Sequence, residues 1–196
     1  LKRLAEPERL IIGEQHDNAD HHAAQLWVLR SLGERRPQGS LLLEMLTPDQ
    51  QPRVDQVRQS TTPPADLPGA LAWEDGWDWS LYGPIVRFAL TQPYPLLAAN
   101  LNSAEIRTVY RNPPVLKGQR SNVESVKTVL LEQISDSHCG LLPESQMPAM
   151  LAVQQQRDRR MAERLLAAPR PSILLAGAWH ARKDVGVPLH VVDLGA

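Results

Sequence analysis

The sequence predicts an α/β fold: a mainly parallel β-sheet flanked by helices, with a smaller all-helical subdomain. Three observations carry that prediction. Four short apolar runs, Leu10–Gly13, Leu41–Leu43, Tyr94–Ala99 and Ile173–Ala176, each have the length of one buried strand. Segments of helical period separate the first three runs, and strands alternating with helices argue for a parallel sheet covered on both faces. Two long segments of helical period between Asn112 and Ala168 interrupt the alternation. The expected division is an α/β domain over 1–111 and 169–196, with a helical subdomain over 112–168 inserted before the last strands.

Leu10–Gly13 reads as the first strand and Glu14–Asp20 as a polar turn, in which Asn18 or Asp20 is placed to cap the next helix. That helix carries Leu26, Leu29 and Leu32 at helical spacing, and Gly33 and Pro37 close it. Leu41–Leu43 is the second strand and ends in Glu44. Thr47-Pro48-Asp49 opens a helix, with proline in the first turn where its missing N–H costs nothing. Prolines at 63, 64 and 68 then precede Trp73, Trp77, Trp79 and Tyr82, an aromatic loop set among Glu74, Asp75 and Asp78. Pro84–Leu90 is the next helix, Tyr94–Ala99 the third strand ending in Asn100, and Ser103 with Glu105–Tyr110 a short helix. A basic, proline-bearing linker, Asn112–Arg120, leads to two amphipathic helices, Asn122–Ser137 and Glu144–Ala168. In the second, Met147, Met150, Leu151, Met161, Leu165 and Leu166 recur at helical steps, most simply as core, while Gln154, Arg157 and Arg160 fall elsewhere. Pro169–Pro171 stops it, Ile173–Ala176 follows as a strand, and His190–Asp193 is the expected final strand.

Composition narrows the function classes. Of 196 residues, 42% are hydrophobic and 22% charged, the proportions of an ordinary globular domain. A net charge of −1 supplies no bulk field for nucleic acid, which is not an expected partner. The single cysteine, Cys139, excludes an internal disulfide and any Cys-rich metal site. No apolar run approaches the ~20 residues that span a bilayer.

Chemistry concentrates at the ends of the apolar runs. They terminate in Glu14 and His16, in Glu44, in Asn100 and in His180. In a parallel sheet these ends share one edge, where ligands of open α/β sheets bind, so the five residues should converge. Two carboxylates with two histidines can hold a divalent metal with an open position, or act without one as general acid and base. His21 and His22 are adjacent on a helix start and read as exposed. The Trp77-Asp-Trp79-Ser-Leu-Tyr82 segment reads either as packing or as a wall around a flat ligand, with the Tyr82 phenol as its polar handle. Arg182 and Lys183 suit ligand carboxylates, the first by bidentate pairing and the second as a point charge.

Taken together, Gly13-Glu-Gln-His-Asp-Asn18 with His21-His22, Leu-Leu-Glu44-Met45, Trp77-Asp-Trp79-Ser-Leu-Tyr82-Gly-Pro84, Ala98-Ala-Asn100-Leu101, His138-Cys-Gly-Leu-Leu-Pro143, Gln154 with Arg157-Asp158, and His180-Ala-Arg-Lys-Asp-Val-Gly-Val-Pro188 resemble the ChaN family. These are iron-regulated, haem-binding bacterial lipoproteins of the ChaN/Tiki superfamily. The resemblance covers nearly the whole chain in order. It implies a parallel sheet with a smaller helical domain, and haem as cofactor, bound as two stacked macrocycles between two monomers, so that haem favours a homodimer. It implies that a tyrosine holds the iron, matched here by Tyr82 with Tyr110 in reserve, and that a partner's histidine and lysine, matched by His180 and Lys183, bind the propionates. It also implies an outer-membrane haem receptor system as partner and a cell-envelope location, through a lipid anchor on the full-length precursor.

A second function class stays open beside it. Gly-Glu-x-His followed by a strand-end glutamate also resembles the erythromycin-esterase-like and Tiki-type metalloprotease branches. That resemblance implies a hydrolase, with or without a metal, in which Glu14, His16, Glu44 and His180 form the reaction centre.

Overall fold

The computed structural model describes residues 1–195. Its centre is a four-stranded, wholly parallel sheet built from β1 (Arg9–Glu14), β2 (Ser40–Leu43), β3 (Leu96–Ala98) and β4 (Ser172–Gly177), in the order β1-β4-β2-β3. The last strand in sequence is therefore internal. Gly13 is level with Ala176 and Glu14 with Gly177 on one side of β4, and Leu43 pairs with Leu175 on the other. The helices between the strands are α1 (Lys2–Ala5), α2 (Ala19–Gly33), α3 (Gln51–Gln59, entered through a 3-10 turn at Pro48–Gln50), α4 (Leu67–Ala70), α5 (Trp79–Leu90), α6 (Ser103–Arg111), α7 (Glu124–Ser137), α8 (Met147–Ala167), α9 (Ala178–Ala181) and α10 (Val187–Asp193).

Alternation along the internal strands explains the layers. Successive side chains on a strand face opposite ways. Leu41, Leu43, Ile173 and Leu175 face a core formed with Leu29 and Leu32 of α2, Val54 of α3, and Ile85, Val86 and Ala89 of α5. Leu42, Leu174 and Ala176 face the other way, onto Met161, Ala162 and Leu165 of α8 and Val187 of α10. All six residues of β4 are buried, which fits an unbroken apolar run rather than an alternating one. The free edge of β3 is covered by one side chain: Gln51 donates to the Leu96 carbonyl at 3.0 Å and accepts the Ala98 amide at 2.7 Å.

Local chemistry starts the helices where the sequence signals them. Asn18 caps α2 by accepting the Asp20 and His21 amides, and Asn102 caps α6 in a reciprocal capping box with Glu105. Two expectations need correction. The expected helix at Pro84–Leu90 begins at Trp79, because Asp78 caps it by accepting the Ser80 amide and Pro84 is tolerated inside. The aromatic segment is thus half helix. The expected final strand, His190–Asp193, is the last turn of α10. A short apolar run cannot be assigned by periodicity alone, and Pro188 in the first turn was the helix signal. The stretch 112–168 is helical in all its regular elements, yet α8 is shared. Its second half covers the sheet through Met161 and Leu165, while α7 packs separately around Val126, Leu130 and Val185.

Gly186 holds the turn from α9 to α10 against α9. A Cβ there would run into the His180 carbonyl oxygen and lie 2.7 Å from that of Trp179, backbone that cannot swing aside. Gly186→Ala should destabilise the fold by about 1–3 kcal/mol, as overpacking does. Denaturant unfolding would show it as a lower midpoint, whereas Gly33→Ala, where a Cβ meets nothing, should not lower it.

Candidate functional site

Four parallel strands end on one edge, and that edge carries a cleft of about 520 Å³ lined by Glu14, His16, Glu44, Trp77, Trp179 and His180, among others. Two charged assemblies build it. In the first, His180 on α9 is clamped between carboxylates from different elements: its Nδ1 lies 2.7 Å from Asp158 Oδ1 and its Nε2 3.2 Å from Glu44 Oε1. Glu44 also accepts the Gly177 amide at 2.7 Å. Burial opposes a charge on His180, but the two carboxylates outweigh it and push the imidazole up to about 10. Burial likewise opposes ionisation of Glu44, yet the His180 cation and the Gly177 amide bring its carboxyl down to about 2. Asp158 goes the other way, raised by burial to about 6.

The second assembly is centred on Glu14. Its Oε1 lies 2.6 Å from His16 Nδ1 and accepts the Tyr82 hydroxyl at 2.8 Å. The hydrogen bond to Glu14 raises the His16 pKa against partial burial. The His16 side chain is 47% exposed, and among the described residues its Nε2 has no hydrogen-bond partner. The ring lies over Gly177, where a Cβ would sit 2.8 Å from Cε1 and 2.9 Å from Nε2, so a side chain there would displace the imidazole from this position. Trp77 meets His16 edge-on at 4.9 Å between centroids and meets Tyr82 at 5.7 Å. The aromatic segment therefore walls the cleft and backs its phenol.

Glu14, His16, Glu44 and His180 converge as expected, and other residues are placed differently. Asn100 is buried, but its side chain accepts the Leu101 amide and does not line the cleft. His180 turns inward with both ring nitrogens engaged, which leaves none for a propionate. Tyr82, expected to hold the iron, is 1% exposed with its hydroxyl committed to Glu14. Burial and the Glu14 charge raise its pKa strongly. His22, read as exposed, is buried: Nε2 lies 3.0 Å from the His16 carbonyl oxygen and the ring packs edge-on to Tyr82 at 4.5 Å. Its spacing to Leu26 and Leu29 on the buried stripe of α2 was the signal. Arg182 stacks on Trp179 at 4.3 Å and pairs with Asp184, while Lys183 is exposed and lines neither cavity. Among the described residues no three His, Cys, Asp or Glu side chains close on a point that would hold a metal ion.

A second cavity, of about 600 Å³, lies between α6, α7 and α8. Ile106, Tyr110, Ile134, Met150 and Val153 give it an apolar body; Arg107, Arg111 and His138 give it a basic rim. It adjoins the first, because Gln133, Gln154 and Arg157 line both. Arg157 Nε and Gln133 Oε1 are buried there without hydrogen-bond partners. Sequence reasoning placed Met150 in the core and missed the groove, since its walls come from three helices far apart in the chain. It noted Asp158 only beside Arg157 in a family motif and gave it no part in the site, although Leu151, Asp158 and Leu165 stand seven residues apart, which puts a carboxylate on the buried stripe of α8.

Comparison with known proteins gives concordant findings. The family model for haem-binding uptake proteins, Tiki superfamily, ChaN, matches residues 1–191. A solved structure of ChaN from Campylobacter jejuni, described as showing cofacial heme binding, is 31% identical, with a TM-score of 0.91 over 100% of this chain and 80% of that one. The erythromycin esterase EreC, as its H289N mutant, is 16% identical with a TM-score of 0.56 over 98% of this chain and 68% of that one. RRSP, a MARTX toxin effector domain from Vibrio vulnificus, is 14% identical with a TM-score of 0.56 over 96% and 33%. The last two show a shared fold alone. No curated protein matches the sequence.

The clamp on His180 sets a pH dependence. Its folded pKa of about 10 exceeds the ordinary 6.5, so the folded state holds an extra proton between those values. Its contribution is complete below 6.5 and is lost as pH rises towards 10. Wild-type stability should fall across that window, and His180→Gln should flatten the fall. The same substitution leaves two buried carboxylates unmatched and should cost about 3–5 kcal/mol near neutral pH. Denaturant unfolding of both proteins at a series of pH values measures each effect.

Proposed function

We propose a haem-binding function from one premise: the chain belongs to the ChaN family of haem-binding uptake proteins in the Tiki superfamily. The observation that carries the proposal to particular residues is the groove between α6, α7 and α8. A porphyrin is a broad apolar plate with carboxylates at one edge, and this groove joins an apolar body to a basic rim. Tyr110 stands in its wall, and tyrosine is an established axial ligand of haem iron. Arg157, half-buried in the same wall and without a hydrogen-bond partner among the described residues, offers its guanidinium to a ligand carboxylate.

Haem supplies, when bound, an iron centre that takes a phenolate and two propionates that take cations. Tyr110 is the iron ligand in this reading, in place of the enclosed Tyr82. Tyr82 positions Glu14 and His16 instead. The C. jejuni relative is described as binding heme cofacially; the same pairing here would place two groove-bound haems between two copies of this chain. Lys183, exposed and without an ion-pair partner among the described residues, is available to the ligand of the second copy. The physiological setting we propose is haem uptake at the cell envelope, downstream of an outer-membrane receptor.

Titration with haemin tests the reading. The expected result is saturable binding with a high-spin, tyrosinate-type spectrum, lost in Tyr110→Phe and kept in Tyr82→Phe, with a shift from monomer to dimer on sizing. Haemin uptake no better than that of an unrelated protein of similar charge would overturn it.

A second reading rests on a separate observation, the Glu14–His16 pair facing the strand-end cleft. A carboxylate that orients Nδ1 leaves Nε2 free as a general base. There it can take a proton from water attacking an ester or amide carbonyl and return it to the leaving group. A screen of ester and peptide substrates should then show a turnover that falls by about 100-fold or more in His16→Ala. Turnover that survives the substitution, or its absence throughout the screen, refutes this reading.

A further inference from the structure

The two cavities meet at Arg157, and that junction says which end of a ligand enters first. Arg157 projects from α8 and lines both the strand-end cleft and the groove. Among the described residues its guanidinium makes no hydrogen bond or ion pair, and its Nε is buried without a partner. The neighbouring Asp158 makes no hydrogen bond to it, since Oδ1 of that residue is turned to His180 at 2.7 Å, although the two charges are close enough to attract. The other cations of the groove, Arg107 and Arg111, are exposed.

Solvent decides between these cations. An ion pair with an exposed arginine is screened and gains little over its hydrated state. Arg157 is half-buried and lines the cavities, so a carboxylate in the groove meets a partly desolvated guanidinium whose charge-assisted hydrogen bonds are less screened than those of an exposed arginine. Gln133 and Gln154 line both cavities with it.

We infer that Arg157 is the carboxylate anchor of the groove: it receives one propionate of the haem bound in the same chain and makes binding selective for porphyrins with free carboxylates. The inference rests on haem occupying the groove and goes beyond it by naming the recognition element. Arg157 is a specificity residue, not the iron ligand, so its removal should leave the haem spectrum in place.

The test compares haemin with its dimethyl ester, in which both carboxylates are masked, by spectroscopic titration of the full chain. Wild type should bind haemin roughly 10-fold to 100-fold more tightly than the ester, the value of a hydrogen bond to a charged group. Arg157→Gln should lose that preference by weakening haemin while leaving ester affinity and the Soret position unchanged. Arg157→Lys, which keeps the charge and loses the fork, should recover part of it. The double variant Arg107→Gln/Arg111→Gln, which strips charge from the exposed rim, should reduce the preference less than Arg157→Gln does. If Arg157→Gln still prefers haemin to the wild-type extent, or wild type binds both alike, the anchor is refuted while haem binding stands. If wild type binds neither, both readings fall.

Discussion

The buried imidazolium of His180, held between Glu44 and Asp158, is the interaction on which the rest of the site depends. It joins the end of β2, the middle of α8 and the start of α9, three pieces of chain far apart in sequence. Each carboxylate alone would be an unpaired buried charge, and each is placed by an element that packs for other reasons: Glu44 by a strand buried on both faces, Asp158 by a helix anchored at Met161 and Leu165. The cation makes their burial affordable, and the Gly177 amide finishes the neutralisation of Glu44. The Glu14–His16 pair follows from this arrangement. His16 leans over the end of β4, where glycine leaves room for the ring.

Much of this was legible in the sequence, and particular residues show why. Four apolar runs, each ending in a polar residue, define a parallel sheet with a functional edge, because register and edge are properties of the strands themselves. Glu14, His16, Glu44 and His180 were placed correctly for that reason. What lay beyond reach was orientation. Whether His180 faces in or out depends on Asp158, a residue twenty-two positions earlier on another helix. Tyr82 looked like a handle on an aromatic loop, but Asp78 turns that stretch into a helix and carries the phenol into the core. The groove beside Tyr110 was invisible because three helices build it, and helix packing leaves no local signature.

The neighbours in fold space sharpen the distinction between scaffold and site. An esterase and a toxin effector domain share this architecture at 14–16% identity, so the sheet and its crossovers do not choose a chemistry. The choice is made by what surrounds the common edge. Here that surround includes a second cavity, off the sheet, with its own aromatic and cationic lining. A site of this shape divides labour between a rigid polar centre on strand ends and a roomier apolar hollow between helices, and Arg157 belongs to both.

One feature of the sheet has a bearing on how the protein comes into being. β4 is synthesised after the other three strands, yet it lies between β1 and β2. Until residue 177 has left the ribosome, the first two strands have no common neighbour, and each offers an open edge of the kind that invites wrong partners. β2 and β3 can pair without it, but the sheet is joined to β1 only when β4 arrives, over separations of more than 130 residues from β2 to β4 and more than 160 from β1. Long-range parallel pairing of that kind is slow. Time spent half-made, rather than stability once made, is the vulnerable stage of this molecule's life.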